Sequence, residues 1–255
     1  MEEKKTPVSY KILRWLIKVF SPRYEYEGLE NIPEGACIIA GNHCQMFGPI
    51  ACEFYVPGPH YIWCEAEMMV WSEVAEYSFN DFWSKKPLYI RWFYRILSYL
   101  IVPISVLLFN NAHTIGVRHD MRVIGTFRET VKRLSEGCRV VIFPEDYGLH
   151  NNIVNNFRDK FVDTARMYHK KSGESLAFVP MYICPRLKKM MYGEPTYFDP
   201  SAPIEEERKR IVTYLMDKVT ELAASLPEHT VVPYPNIPKK DYPRSLPVVS
   251  AGEEA

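Results

Sequence analysis

The chain has 255 residues, with 31 basic and 31 acidic side chains and therefore a formal net charge of zero. Apolar residues make up 47% and charged residues 24%, which is typical of a folded globular protein and excludes disordered, collagen-like and low-complexity classes. The balanced charge argues against a broad nucleic-acid-binding surface, so we expect no nucleic-acid partner. The six cysteines form no C-x-x-C pair and no cleavable signal peptide is evident. We therefore expect reduced thiols, no metal site and a protein that faces the cytoplasm.

Residues 1–24 are predicted to contain an amphipathic helix that associates with a membrane. Lys11, Arg14 and Lys18 recur at helical spacing, and the apolar positions among them include Trp15. A basic amphipathic helix with a tryptophan is typical of a helix that lies in the plane of an anionic bilayer. The alternative is a helix packed on its own domain, with its lysines extending into solvent.

Residues 25–226 are predicted to form one α/β domain, followed by a proline-rich tail at 227–255 that is extended and lies on the surface. Short buried-strand patterns alternate with amphipathic helical patterns, which indicates a mostly parallel or mixed sheet flanked by helices. Gly48 and Pro49 are expected to open a helix, and Pro180 is expected to interrupt a strand. The predicted strands are 36–40, 139–143 and 176–183, and the predicted helices are 121–136, 159–171 and 204–226.

Residues 85–110 contain no acidic side chain and form a second segment for which a membrane is expected. The apolar run at 96–109 is shorter than the roughly 20 residues that a bilayer span needs, which favours an interfacial or re-entrant segment over a full crossing. Trp92, Ile96 and Leu100 are expected to contact lipid or to line an acyl channel. The alternative is a buried helix, or a helical hairpin that covers the sheet.

Three polar clusters follow strand-like runs, where α/β sheets place their ligand sites. A histidine, an arginine and a carboxylate at such strand ends could supply a general base, an anion clamp and an orienting group. Acyl transfer to a hydroxyl needs this set, because an imidazole takes the hydroxyl proton and a fixed cation holds a phosphate. The clusters are Asn42-His43-Cys44, Gly116-Val117-Arg118 and Pro144-Glu145-Asp146.

From about residue 28 to residue 200 the chain resembles the glycerolipid acyltransferase family, which includes the lysophosphatidate acyltransferases. GLENIPEGACIIAGNH resembles the approach to the family's first motif, TIGVRHD the second, VVIFPE the third and AFVPMYI the fourth. The resemblance implies an acyltransferase-type domain in which His43 is the general base, Arg118 binds an acceptor phosphate and Glu145 is a catalytic or orienting carboxylate. It also implies that no cofactor is bound, and that an acyl-coenzyme A or acyl carrier protein thioester is the co-substrate.

Two departures from the family pattern fall on the chemistry. Gly48 stands where the first motif has an aspartate, so the carboxylate that would orient His43 is absent. The third motif continues with Asp146-Tyr147-Gly148 in place of Gly-Thr-Arg. Glu145, Asp146 or Asp120 could replace the lost carboxylate, and Arg118 with Arg158 or Lys160 could hold an anionic acceptor. Asp146 is also expected at the acceptor-binding site.

The leading hypothesis is a membrane-associated acyltransferase, peripheral or monotopic on the cytoplasmic face, that acylates a hydroxyl of a lysophospholipid or related acceptor. Its expected partners are membrane lipid, the acyl donor and, where the donor is a carrier protein, that protein. The first alternative is a non-catalytic lipid-binding protein on the same scaffold. The second is a thioesterase-like hydrolase that uses Cys44 beside His43 as its nucleophile.

Overall fold

The computed structural model describes residues 6–245, so residues 1–5 of the predicted N-terminal segment and 246–255 of the predicted tail lie outside the described residues. Its strands are β1 (Glu25–Glu27), β2 (Cys37–Gly41), β3 (His60–Glu65), β4 (Thr114–Val117), β5 (Arg139–Ile142), β6 (Glu145–Leu149), β7 (Asn155–Phe157), β8 (Ala177–Cys184), β9 (Lys189–Tyr192) and β10 (Thr196–Tyr197). Its helices are α1 (Val8–Phe20), α2 (Phe47–Tyr55), α3 (Val74–Ser78), α4 (Arg91–Leu100), α5 (Val102–Phe109), α6 (Val123–Ser135), α7 (Asp163–Ser172) and α8 (Ile204–Ala224).

Eight strands form one mixed sheet in the order β1-β9-β8-β2-β5-β3-β4, with β10 also beside β8. β8, β2, β5, β3 and β4 run parallel, whereas β9 and β10 pair antiparallel with β8. β6 and β7 form a separate antiparallel pair. The predicted α/β class with a mostly parallel, mixed sheet is confirmed, although the predicted strands do not include β3.

β8 runs through Pro180, which corrects the expectation that this proline interrupts the strand. Proline lacks the backbone N–H that a central strand normally donates. Two short strands pair antiparallel with one side of β8, one after the other: β10 pairs at Phe178, and β9 pairs from Met181 onward. Pro180 lies between these two paired segments. The carbonyl of Pro180 still accepts from the N–H of Gly193 at 2.9 Å. The missing donor therefore falls in the gap between β10 and β9, where no strand requires it.

The two faces of the sheet bury separate apolar clusters, because alternate side chains of a strand point to opposite faces. In β2, Ile38 packs in the cluster that contains Leu134 of α6 and Ile211 of α8. Its neighbour Ile39 belongs to the cluster on the other face, beneath α2. Every residue of β2 is buried. The strand that precedes His43 is therefore held from both faces.

Helix α1 contacts the domain along one edge and leaves most of its apolar positions exposed. Tyr10 is buried, and Arg14 Nε donates to Glu53 Oε1 at 2.9 Å. Trp15 is 62% exposed and Phe20 is also exposed. The Arg14–Glu53 ion pair thus attaches α1 to α2, and most apolar side chains of α1 face away from the domain.

The segment at 85–110 folds into α4 and α5, which meet at a bend of 41°. Within residues 6–245 no single helix is long and apolar enough to cross a bilayer, and only Leu88–Leu100 and Val102–Phe109 taken together reach that length and composition. α5 packs beside α3 through a small cluster that includes Val74 and Val102, and this cluster is separate from the two on the sheet. Trp92, Ile96 and Leu100 of the first helix are exposed.

The described part of the proline-rich tail, residues 227–245, lies mostly on the surface but buries three of its residues. His229, Val231 and Ser245 are buried. Val231 N donates to the carbonyl of Pro243 at 2.9 Å, and Ser245 N donates to the carbonyl of His229 at 2.9 Å. The His229 Nε2 atom lies 2.7 Å from the hydroxyl of Tyr182 on β8. Residues 229–245 therefore form a closed loop attached to the sheet, which we call the tail loop.

Candidate active site

The carboxyl ends of parallel strands lie at one edge of the sheet, and there the structure brings the predicted polar residues together. His43 follows β2, Glu145 follows the end of β5 at Ile142, and Arg118 follows β4. Glu65 is the last residue of β3 and lies at the same edge. The strand ends thus place a histidine, an arginine and two carboxylates in one region.

The turn that carries His43 is fixed by the buried side chain of Asn42. Its Oδ1 accepts from Ile183 N at 2.8 Å, and its Nδ2 donates to Ile183 O at 3.0 Å. Cys44 and Gln45 then adopt left-handed φ angles of 50° and 54°, a conformation that costs non-glycine residues about 1–2 kcal/mol each. The amide of Asn42 therefore ties the end of β2 to β8 at the point where the backbone makes this strained turn.

Cys44 is a buried structural residue. Its thiol donates to Ile183 O at 3.2 Å and accepts from Asn42 Nδ2 at 2.7 Å. Burial, followed by the charge of Glu145, raises the pKa of this thiol well above its ordinary value. A thiol that remains protonated and inaccessible is a poor nucleophile, so the geometry does not support the thioesterase hypothesis.

The carboxylate of Glu145 binds backbone, not the imidazole ring. This side chain is 4% exposed; its Oε2 accepts from His43 N at 2.6 Å and its Oε1 accepts from Asn155 N at 2.9 Å. Burial raises the pKa of Glu145 to about 7, although these two backbone N–H groups oppose the rise. Glu145 therefore holds the backbone at His43 in place and joins it to β7.

The imidazole of His43 packs between two aromatic rings. Its centroid lies 5.1 Å from that of Phe143 and 5.6 Å from that of Tyr234 in the tail loop, both with edge-on geometry. Its Nδ1 is buried and has no hydrogen-bond partner among residues 6–245. Burial lowers the pKa of His43 to about 4, and the charge of Glu65 opposes this effect. The ring is therefore neutral at physiological pH.

None of the three carboxylates expected to replace the missing aspartate hydrogen-bonds to this ring. Glu145 binds backbone, as described above. Asp120 pairs with Arg122, whose Nε lies 2.9 Å from Asp120 Oδ2. Asp146 Oδ1 accepts from Gly148 N at 2.6 Å within its own turn. The expectation of a substitute orienting carboxylate is therefore not met by these side chains.

The arginines expected to bind an acceptor phosphate are engaged with other protein groups. Arg118 Nη1 donates to Glu73 Oε2 at 2.6 Å and lies 3.3 Å from Glu67 Oε1. Arg158 is exposed, and its Nη1 lies 3.0 Å from Nδ1 of His119. The positive charge of Arg118 is thus balanced by two carboxylates, which leaves no free cation at that position for a phosphate.

An open cavity of about 480 Å³ lies beside Arg118. Two tyrosines contribute to its lining, and one of them, Tyr147, has its ring centroid 5.4 Å from that of Tyr234. Burial, followed by the charge of Glu65, raises the pKa of Asp81 in the wall. Four carboxyl side chains line the cavity, which makes it acidic and unfavourable for an anionic ligand. Its charged lining residues are Glu67, Glu73, Glu76 and Asp81.

Sequence reasoning missed two residues of this site. Both carboxylate oxygens of Glu65 lie within hydrogen-bonding distance of His119 Nε2, at 3.0 and 3.1 Å. Its signal in the sequence is the strand-like HYIWCE stretch that Glu65 ends, after the turn at Gly58 and Pro59. Tyr234 has no comparable signal, because only tertiary folding brings the tail to His43.

Among residues 6–245 no group of His, Cys, Asp or Glu has the arrangement that a metal ion would need.

The chain is similar to a solved structure of a known protein. The crystal structure of the 1-acyl-sn-glycerophosphate (LPA) acyltransferase PlsC from Thermotoga maritima is 18% identical over 86% of this chain and 81% of that chain, with a TM-score of 0.49. No family model matches the chain, and no curated protein matches it. A TM-score below 0.5 is too low to assign the fold, so the topology above rests on the strand pairings of this chain.

Replacing Gly48 with aspartate is expected to destabilise the protein and not to supply an orienting carboxylate. A Cβ at this position would lie 2.2 Å from the carbonyl oxygen of His43 and 3.2 Å from Phe143 Cε1. Overpacking of this kind typically costs about 1–3 kcal/mol. Urea unfolding should therefore show a lower free energy of unfolding for Gly48→Asp and Gly48→Ala. Gly125→Ala is the matched control, because that position has nothing within 4 Å and alanine favours its helix; wild-type stability in Gly48→Asp would contradict the prediction.

Glu145→Gln is expected to lower the free energy of unfolding by about 1–3 kcal/mol at pH 4.5. The NH₂ group of the new glutamine would face a backbone N–H, so two donors would meet where a carboxyl oxygen now accepts. The pKa of Glu145 is higher in the folded protein than in the unfolded chain, so the folded state binds the extra proton between pH 4.5 and about 7. The contribution of Glu145 to stability is therefore lost as pH rises through this window, so the stability advantage of the wild type over Glu145→Gln should shrink. Urea titrations across this range measure the difference. A gap that widens with pH, or the same change in the exposed control Glu76→Gln, would count against this account.

Proposed function

We propose that the protein is an acyltransferase that transfers a fatty acyl group from a thioester to a hydroxyl, with His43 as the general base. The observation that carries the proposal is the position of the His43 imidazole at the carboxyl edge of the sheet, with its backbone fixed by Glu145. A neutral imidazole is the form that accepts a proton from an alcohol. The four motif-like segments described in the sequence support the same reaction class.

In the proposed reaction, the acceptor's hydroxyl oxygen attacks the carbonyl carbon of the thioester while His43 Nε2 takes the hydroxyl proton. The carbon–sulfur bond then breaks, and the leaving thiolate takes that proton from the imidazolium. The products are an ester and a free thiol, and the imidazole returns to its neutral form. The cycle needs no bound cofactor, since the donor thioester, from coenzyme A or acyl carrier protein, supplies the activated acyl group.

The electrostatics of the site favour an acceptor without net negative charge on its head group. Arg118 is balanced by Glu67 and Glu73, and the neighbouring cavity wall adds further carboxylates. A phosphate monoester would be repelled there, because carboxylates line the cavity and Arg118 is already paired with two of them. We therefore favour a neutral or zwitterionic lysolipid over lysophosphatidate as the acceptor.

We also propose that the protein works at the surface of an anionic membrane, as a peripheral or monotopic protein. Trp15 of α1 and Trp92 of α4 are 62% and 66% exposed. Because α1 and α4 both pack beside α5, these three helices belong to one layer of the domain. Lys18 lies near the end of the first helix, and Lys85 and Lys86 precede the second. Exposed aromatic side chains beside basic ones suit the interface of an anionic bilayer.

Non-catalytic lipid binding is a second candidate function, and one observation favours it. His43 Nδ1 has no carboxylate partner among the described residues. In triad enzymes, loss of the orienting aspartate lowers the rate about 10⁴-fold. A scaffold that kept its lipid contacts while losing this group would bind lipid without turning it over.

The full-length protein, incubated with a labelled acyl thioester and a panel of lysolipids, is expected to transfer the acyl group, with zwitterionic acceptors preferred over lysophosphatidate. His43→Ala should reduce transfer about 10²–10⁴-fold, the usual contribution of a general base. The matched control is His113→Ala, since His113 precedes β4 at the opposite edge of the sheet. Lipid retained through purification without any transfer would reject the acyltransferase and support lipid binding.

Binding to lipid vesicles should depend on the exposed tryptophans. Trp15→Ala and Trp92→Ala are each expected to weaken sedimentation with vesicles containing anionic lipid about tenfold, because each loses apolar area buried in the interface. Added salt should weaken the wild-type protein further by screening its basic residues. Trp71→Ala is the control, because Trp71 is equally exposed but lies outside α1 and α4. Equal binding by all variants would contradict this membrane face.

A further inference from the structure

The tail loop is attached to the sheet through a buried polar cluster. His229 Nε2 lies 2.7 Å from the hydroxyl of Tyr182, and His229 Nδ1 lies 3.0 Å from Ser245 Oγ. The hydroxyl of Ser245 also accepts from His229 N at 3.0 Å. Both ends of the loop thus meet at one buried histidine, and the residues between them project from a fixed base.

The outer part of the loop contacts the turn that carries His43. Gln45 Nε2 lies 3.1 Å from the hydroxyl of Tyr242 and 3.5 Å from the carbonyl of Pro235. Gln45 is one of the two residues in the left-handed conformation. The tail loop therefore packs on the strained turn from outside, opposite the contacts that Asn42 makes within the sheet.

Tyr234 lies between these two attachments and packs on the candidate base. Its ring meets that of His43 edge-on, with an interplanar angle of 77°, and its other neighbour is Tyr147 of β6. Phe143 contacts the imidazole with a similar edge-on geometry, at an interplanar angle of 69°. Edge-to-face contacts of this kind favour a defined relative orientation of the rings. The imidazole is thus held by two aromatic rings from separate parts of the chain.

We propose that Tyr234 is a positioning residue that holds the His43 imidazole through its aromatic ring, a role that the sequence resemblance assigns to an orienting carboxylate. The inference rests on the proposed function, since a role for ring orientation presupposes that His43 acts as the base. It deepens that function by making the tail loop a structural part of the active site.

The contact has two consequences for the imidazole. The Tyr234 ring restricts rotation of the imidazole, which keeps Nε2 directed toward the acceptor. It also excludes water, and burial is the main cause of the low pKa of His43. The ionisable groups around the ring are Glu65 at the end of β3, Glu145 on β6, Cys44 in the turn, and the phenols of Tyr234 and Tyr147.

The test compares Tyr234→Ala and Tyr234→Leu with Tyr234→Phe in the full-length protein. Leucine retains apolar volume without the aromatic edge, so it tests the contact if the alanine variant folds poorly. Phenylalanine retains the ring and removes only the hydroxyl. Tyr242→Phe removes the hydroxyl at Gln45 without altering the ring on His43, and Tyr197→Ala controls for loss of an exposed tyrosine elsewhere.

Two measurements are made on each variant. The first is the NMR titration of the His43 ring, assigned by its absence in His43→Gln, and this measurement does not depend on turnover. The second is the pH profile of kcat/KM for acyl transfer, together with the separate values of kcat and KM.

Removing the ring is expected to move the midpoint of the His43 titration upward by at least about one pH unit, toward the ordinary value near 6.5. The acidic limb of kcat/KM should move with it, because the base then loses its neutral form at a higher pH. We expect kcat to fall about tenfold with little change in KM, while Tyr234→Phe, Tyr242→Phe and Tyr197→Ala behave as wild type.

A wild-type titration and pH profile in both Tyr234→Ala and Tyr234→Leu would overturn the proposal. Impairment of Tyr234→Phe to the level of alanine would also overturn it, because the hydroxyl and not the ring would then be responsible. If wild-type protein transfers no acyl group but the titration shifts as expected, the proposed function fails while the contact between the tail loop and His43 is supported.

Discussion

At the carboxyl edge of the sheet, one buried carboxylate accepts hydrogen bonds from two backbone segments, His43 N at the end of β2 and Asn155 N at the start of β7. Placing Glu145 there is costly, because its charge is removed from water, and its raised pKa shows this cost. Without those two N–H groups, the turn that carries His43 would lose its connection to the β6–β7 pair. The position of the imidazole depends on this interaction, and so does every chemical role proposed for it.

The surroundings of the imidazole differ from those that its sequence motif suggests. Phe143 and Tyr234 pack on the ring, whereas the nearby carboxylates bind backbone or other side chains. Gly48 stands where the sequence resemblance expects an aspartate, and the close carbonyl of His43 leaves no room there for a side chain. The site thus holds its histidine by packing and exclusion of water, which keeps the ring neutral without a partner charge.

Charge is distributed unequally between the site and the helical layer. Carboxylates line the cavity beside Arg118, whereas α1 and the residues that precede α4 carry lysines beside exposed aromatic rings. The formal net charge of zero conceals this separation. A basic, apolar outer layer suits a membrane surface, and an acidic cavity suits a ligand without net negative charge. The proposed acceptor, a neutral or zwitterionic lysolipid, agrees with both regions.

The sequence by itself determined the α/β class, the three strands on which the buried residues concentrate, and the placement of His43, Arg118 and Glu145 just after strand ends. These features follow from local periodicity, because side-chain alternation and helical spacing are properties of short segments. Only the tertiary structure decided which atoms these side chains bind. Glu145 binds backbone and not the ring, Arg118 pairs with glutamates far away in sequence, and Tyr234 reaches His43 from a distant tail. Such contacts join segments whose separation leaves no local pattern, so their partners are fixed by packing of the whole chain.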